Sequence, residues 1–171
     1  MPESSIFHAA HRAKQTDETA PGERSFRTVP SAGARHAFET LILCNTIEGL
    51  EPNVYRYVAS QHSLISLSLE ANCIDILIDG FRNIILPTTS AATFMWICIP
   101  ARMTWKFGER GYRYLLMDAG HMCQNLYLAS ESIGCGACAI GVFDDEEINT
   151  HLGLDGTSQF LAYASSVGKL S

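Results

Sequence analysis

Residues 108–133 carry apolar or small side chains at helical spacing on most faces: Tyr112, Leu115, Leu116, Ala119, Met122, Cys123, Leu126 and Ala129. An ordinary surface helix shows one apolar stripe, so a helix that is apolar nearly all round has to be covered nearly all round. The segment predicts a long central helix, buried against a sheet and also against another subunit. Gly134 follows as its C-cap, because glycine enters the left-handed region without a Cβ clash. Only a layered domain can bury such a helix, and 171 residues supply one domain with a substantial core.

Strand patterns surround it. Residues 38–44 read as a strand, a turn follows at 48–52, and 54–58 alternate as the hairpin partner. Residues 93–99, rich in aromatic and β-branched side chains, read as a central buried strand, and 137–143 and 159–167 as two more. A helix is expected over 67–81, ending near Gly80. Asp144-x-x-Glu147 reads as the capping box of a short helix ending near Gly153. Residues 1–26 form a flexible or partly helical N-terminal segment, with a short helix over 4–14 and a loop over 16–24, ahead of a single domain over 27–171. The irregular alternation of elements predicts an α+β sandwich: a mostly antiparallel sheet covered by helices around the long one.

Composition narrows the function. A net charge of −6 argues against a nucleic-acid binder, which needs clustered Lys and Arg. No apolar run reaches membrane-spanning length, and 1–14 lack the hydrophobic core of a signal peptide, so a cytoplasmic protein is expected. The charged fraction of 18% is slightly low, which suits a chain that buries surface in a partner subunit. The six cysteines are scattered through apolar segments, as small buried hydrophobes are. Cys135-x-x-Cys138 also has dithiol or metal spacing, but no second paired motif completes a zinc site. No metal is expected, and Cys138 is expected to face inward from its strand.

Two turns of small residues carry the candidate chemistry. Pro30-Ser31-Ala32-Gly33-Ala34 precedes the first domain strand, and Gly134-Cys135-Gly136-Ala137 follows the long helix. Such turns let a flat ligand lie against main chain, although they are also common punctuation between elements.

The residues around these turns resemble those of one family. Residues 27–36, Arg-Thr-Val-Pro-Ser-Ala-Gly-Ala-Arg-His, resemble the flavin-contacting segment of the nitroreductase family, in the branch related to the azoline dehydrogenases of thiazole- and oxazole-peptide biosynthesis. Residues 47–57 resemble that branch's strand-turn-strand signature. The runs 108–114, 118–126, 134–141 and 167–169 follow in the family's order. The family opens with an arginine motif that helps clamp the flavin phosphate. Here Arg24-Ser25-Phe26-Arg27 imitates its letters directly before the turn, so the chain reads as N-terminally short.

The resemblance implies an FMN-dependent oxidoreductase that takes hydride from NAD(P)H and reduces a small organic acceptor, working as a homodimer. It places Pro30, Ser31, Ala32 and Gly33 against the ring or ribityl chain. Gly134, Cys135, Gly136 and Ala137 fall by main chain near the reactive edge, and Lys169 at the phosphate. Arg35 joins the cofactor residues, while His36 and Lys106 face substrate; no catalytic acid or base is implied. Azoline-oxidising members use a lysine–tyrosine pair for proton removal. Here Lys106 is followed by Phe107, and a phenyl ring cannot carry that proton, which argues against azoline dehydrogenase activity. A scaffold protein that kept the fold and lost tight flavin binding is the alternative, and a dithiol redox or metal module at Cys135 and Cys138 a third. Asp118 is expected to pair with Arg110 or Arg113, and His121 to sit in a core or interface.

Overall fold

A computed structural model describes residues 13–17, 24–70, 72–82 and 85–170. In chain order these form β1 (Ala13–Asp17), β2 (Arg24–Arg27), a 3-10 turn (Ala32–Ala34), β3 (Phe38–Cys44), β4 (Asn53–Val58) and β5 (Ser63–Ser66). Then come α1 (Cys73–Gly80), α2 (Ile85–Thr89), β6 (Ala92–Cys98), α3 (Ala101–Phe107), a second 3-10 turn (Gly108–Arg110), α4 (Gly111–Glu131), β7 (Cys135–Ile140), α5 (Asp145–His151) and β8 (Phe160–Lys169). Strands β1 and β2 pair with each other; the others form one sheet in the order β5-β4-β3-β6-β8-β7, with every pairing antiparallel.

The sheet is an α+β sandwich layer with helices on both faces. β6 is buried along its whole length, and its alternation divides the core. Ala92, Phe94, Trp96 and Cys98 join the cluster beneath α4, with Phe38, Ile42 and Leu126. Met95 and Ile97 join the cluster beneath α1 and α5, with Leu41, Leu43, Leu77 and Ile148. Full burial of a Leu, Ile or Phe side chain contributes roughly 1.5–3 kcal/mol, so these two layers dominate the stability. Between Trp96 and Ile97 the β6–β8 register shifts: Trp96 faces Tyr163 and Ile97 faces Leu161, leaving Ala162 as the extra residue of a bulge.

Asp144 caps α5, its Oδ1 accepting the Glu147 N–H at 3.1 Å, as the capping motif predicts. The expected long helix is one unbroken element, α4, entered through the 3-10 turn Gly108–Arg110, and the short helix α3 ahead of it adds to the expectation. Gly108, with φ 55° and ψ −143°, ends α3, and the path resumes as α4 at Gly111. β7 starts two residues earlier than expected, at Cys135, and the expected helix over 67–81 is confined to Cys73–Gly80. The helix expected over 4–14 lies largely outside the described residues; its end, Ala13 and Lys14, is in β1. The loop expected over 16–24 has its two ends in β1 and β2.

Register fixes the two ends of the sheet. Phe38 pairs with Cys98, and Cys98 with Phe160, at one end. Cys44 pairs with Ala92, Ala92 with Val167 and Val167 with Ala137 at the other, where Cys135 also faces Lys169. Six residues of strand separate these rows, about 20 Å at the usual rise.

Candidate functional site

The first small-residue turn stands at the Phe38 end and is held from several sides. Gly33 has φ 59°, and Ala34 and His36 have φ 54° and 44°, in a region that side-chain-bearing residues seldom enter. Such backbone persists only where its surroundings over-determine it. The Ala34 N–H donates to the Ser31 carbonyl at 3.0 Å, and the His36 N–H to Ser31 Oγ at 2.9 Å. The Ala32 N–H donates to Asp118 Oδ1 of α4 at 3.2 Å. Arg102 of α3 reaches the His36 carbonyl at 3.4 Å, and Asn125 of α4 reaches the Thr28 carbonyl at 3.4 Å.

Asp118 is buried, and burial pushes its carboxyl above the ordinary range, while Ser31, the Ala32 amide and His121 favour its charged form. This corrects the expected ion pair with Arg110 or Arg113. The partner is main chain from a distant segment. Asp118 lies on the stripe of Leu115, Ala119 and Met122, and a carboxylate interrupting an apolar stripe was the available signal. Asp118 Oδ2 and Arg27 Nε are both buried without a hydrogen-bond partner among the described residues, and both residues border a void of about 10 Å³ beside Pro30 and Ser31.

Next to the turn, Glu39 accepts from Arg102 at 2.6 Å and from Arg56 at 3.1 Å. Burial acts to raise the Glu39 carboxyl, but the two arginines outweigh it and hold it below its ordinary value. Lys106 and Phe107 lie over Gly33. A Cβ built there would stand 2.9 Å from Lys106 Nζ and 3.0 Å from the Phe107 ring. Arg35 stacks over Trp105 at 5.0 Å. Pro30, Ser31, Ala32, Gly33, Arg35, His36 and Lys106 thus share one end of the molecule.

The second turn is at the other end. Gly134 has φ 74° and nothing within 4 Å of where a Cβ would stand, so its main chain is open. Leu170 lies over Gly136 instead. Gly136, Ala137 and Lys169 border a cavity of about 240 Å³ with Ser90, Ser166 and Gly168. Lys169 is exposed and forms no ion pair among the described residues. Small residues, open main chain and one unpaired cation fit a flat ligand with a phosphate tail. The turn at Pro30 fits the flat part only. The sheet keeps these two groups of residues apart within one chain.

Cys138 is exposed, correcting its expected inward orientation, and Cys135 is half-buried. Three residues apart on a strand, the two point to opposite faces about 10 Å apart, beyond disulfide reach. His121 is exposed in the chain rather than part of its core. No group of three or more metal-ligating side chains occurs among the described residues. No described helix is long and apolar enough to cross a membrane.

Beneath the N-terminal half of α4 runs an apolar cleft of about 450 Å³ lined by Phe38, Tyr112, Leu116, Ala119, Phe160 and Tyr163. Tyr112, Leu116, Met117 and Leu128 of α4 remain 52–78% exposed, so one side of this helix is uncovered.

Comparisons with known proteins agree with this architecture. The nitroreductase family model matches residues 4–169. A nitroreductase-like protein of Methanocaldococcus jannaschii is 34% identical over 129 residues, covering 74% of this chain and 63% of its own. The trifolitoxin-processing protein TfxB of Rhizobium leguminosarum bv. trifolii is 29% identical over 135 residues, covering 75% of this chain and 36% of its own. The chain therefore spans less than two thirds of either relative. Among solved structures, a nitroreductase-like protein of Anabaena variabilis superposes with a TM-score of 0.86 at 21% identity, over 96% of this chain and 34% of that one. A chain of the E. coli microcin synthetase McbBCD complex with truncated pro-MccB17 bound gives 0.78 at 20% identity, over 98% and 62%. The chain belongs to the nitroreductase family, at family level a group of flavin-type oxidoreductases.

Proposed function

We propose that the chain is an FMN-dependent oxidoreductase acting as a homodimer, using NAD(P)H to reduce a small organic acceptor. The observation that carries this reading is the separation of the two turns. Residues around Gly33 and residues around Gly134 stand at opposite ends of one sheet, about 20 Å apart along the strands. One chain cannot bring both to one ring, whereas two copies packed along the uncovered side of α4 can.

In this arrangement Pro30, Ser31, Ala32, Gly33 and Arg35 of one copy lie along the flavin's flat face. Gly134, Cys135, Gly136 and Ala137 of the other copy offer main-chain groups at its edge, and Lys169 offers a cation for the phosphate. Bound there, FMN would supply the two-electron chemistry, and the protein position and polarity. Main-chain donors at the ring edge favour negative charge. His36 and Lys106 stand on the substrate side. Residues 27–171 act as one domain in this reading.

A second reading comes from TfxB, a trifolitoxin-processing protein, and from the microcin synthetase McbBCD complex. The chain would then serve a peptide-modifying assembly, with Phe107 in place of a proton-carrying tyrosine. Protein purified without added cofactor decides between catalysis and scaffolding. The proposal expects a yellow protein whose visible absorption bleaches on anaerobic addition of NADH or NADPH and returns with a nitroaromatic acceptor. A colourless protein that takes up no added FMN contradicts it.

A further inference from the structure

The cations beside the first turn are unevenly used. Arg56 and Arg102 are spent on Glu39. Arg35 and Lys106 form no ion pair among the described residues, although Arg35 follows Gly33 by two positions and the Lys106 Nζ lies over it. The Arg35 guanidinium carbon lies 5.0 Å from the centre of the Trp105 ring. The Arg35 Nε is buried with no hydrogen-bond partner among the described residues. Lys106 is exposed, with its Nζ 5.4 Å from the centre of the Phe107 ring and folded over Gly33. The nearby acid, Asp118, already accepts the Ala32 N–H and neutralises neither cation. In a chain of net charge −6, two unpaired cations flanking one turn and backed by two aromatic rings make a local site for an anion attached to a flat group.

We propose that Arg35 and Lys106 recognise an anionic group on the substrate, so that the site takes flat molecules bearing a carboxylate or a phosphate in preference to neutral ones of the same shape. The inference rests on the flavin reading only for the word substrate, and it moves Arg35 from the flavin's face to the substrate beside it; binding of the anion itself does not depend on flavin. Arg35 supplies a planar fork suited to a carboxylate, and Lys106 a second point charge across the turn. The anion has two possible sources, the carboxylate of an acceptor or the diphosphate of the nicotinamide donor.

Trp105 is the built-in reporter: it is 76% exposed beside Arg35, while the other tryptophan, Trp96, is fully buried and serves as an internal constant. Titration of the full-length chain with 4-nitrobenzoate and with its neutral methyl ester, followed by tryptophan quenching, tests the proposal. The expected result is about ten- to a hundred-fold tighter binding of the carboxylate, the usual weight of one or two charge-assisted hydrogen bonds. Arg35→Ala and Lys106→Gln should each shrink that preference, the double variant should abolish it, and Arg35→Lys should keep part of it. Displacement of 4-nitrobenzoate by ADP-ribose assigns the anion to the donor, and failure to displace it assigns the anion to the acceptor; either supports the site. Equal binding of acid and ester, or a preference that survives the double variant, overturns the proposal. Failure of the flavin reading would show separately, as a protein without visible colour.

Discussion

The Asp118 carboxylate accepts the Ala32 N–H at 3.2 Å, joining the middle of the longest helix to the turn that enters β3. It is a connection across 86 residues, and the strained backbone at Gly33, Ala34 and His36 stands directly on it. Removing the acceptor with Asp118→Ala leaves a partly buried N–H unmet, which costs about 1–3 kcal/mol. Asp118→Asn keeps an acceptor oxygen and should stay within about 1 kcal/mol of the parent. Urea unfolding of the two variants checks the order.

The same carboxyl gives a pH signature. Burial raises its folded value above the ordinary 3.8, so the folded state holds the proton more tightly than the unfolded state. Its contribution to stability is therefore greatest below pH 3.8 and falls as pH rises toward the folded value. The stability difference between parent and Asp118→Asn should shift against the parent over that rise. A flat difference would place the carboxyl outside its buried environment.

Glu39 behaves in the opposite sense. Burial acts against its charge, yet Arg102 and Arg56 hold its carboxyl below the ordinary 4.5. Its contribution is complete above pH 4.5 and is lost as pH falls through the lower folded value. Glu39→Gln should lower stability at pH 7 by about 1–2 kcal/mol, between an exposed and a buried pair, and should flatten the acid limb. Thermal melts of both proteins from pH 3 to pH 7 measure it.

Lys169 distinguishes ligands. Lys169→Ala should weaken FMN binding about ten- to a hundred-fold, the weight of a charge-assisted phosphate contact, and leave riboflavin, which has no phosphate, nearly unaffected. Equal losses for the two ligands would remove Lys169 from the phosphate.

Gly33 and Cys135 separate steric from main-chain contact. Gly33→Val adds a branched side chain at φ 59°, where Lys106 Nζ already stands 2.9 Å from the first added carbon, and should weaken FMN and riboflavin alike. Cys135→Ser keeps the main chain and should leave flavin affinity and electron transfer intact. Loss of electron transfer with flavin still bound would give the thiol a chemical role.

What is local was legible in the sequence. The β3–β4 hairpin and the Asp144 cap follow from residues a few positions apart, and the buried β6 from a continuous apolar run. What depends on distant partners was not. Asp118 has Arg110 and Arg113 nearby in sequence, but its partner is main chain of the Pro-Ser turn. Cys138 begins as an apolar strand residue, yet β7 is an edge strand and leaves it open. The short helix α3 was not legible because Ala101–Phe107 buries only Met103, too little to show an apolar stripe, and the short edge strand β5 has only Leu64 and Ile65 to announce it. For the site, the residue types around each turn were readable, while their placement at opposite ends of the sheet needed the register of four strands.

That placement gives the most direct test of the account. Sedimentation of the flavin-loaded protein, followed at the flavin's visible absorption band, reports how many chains each coloured particle contains. The account predicts that all the colour moves with a two-chain species carrying one flavin per chain, and that dilution to single chains releases it. Flavin moving stably with a single chain would contradict the account, because one chain holds Gly33 and Gly134 at opposite ends of its sheet.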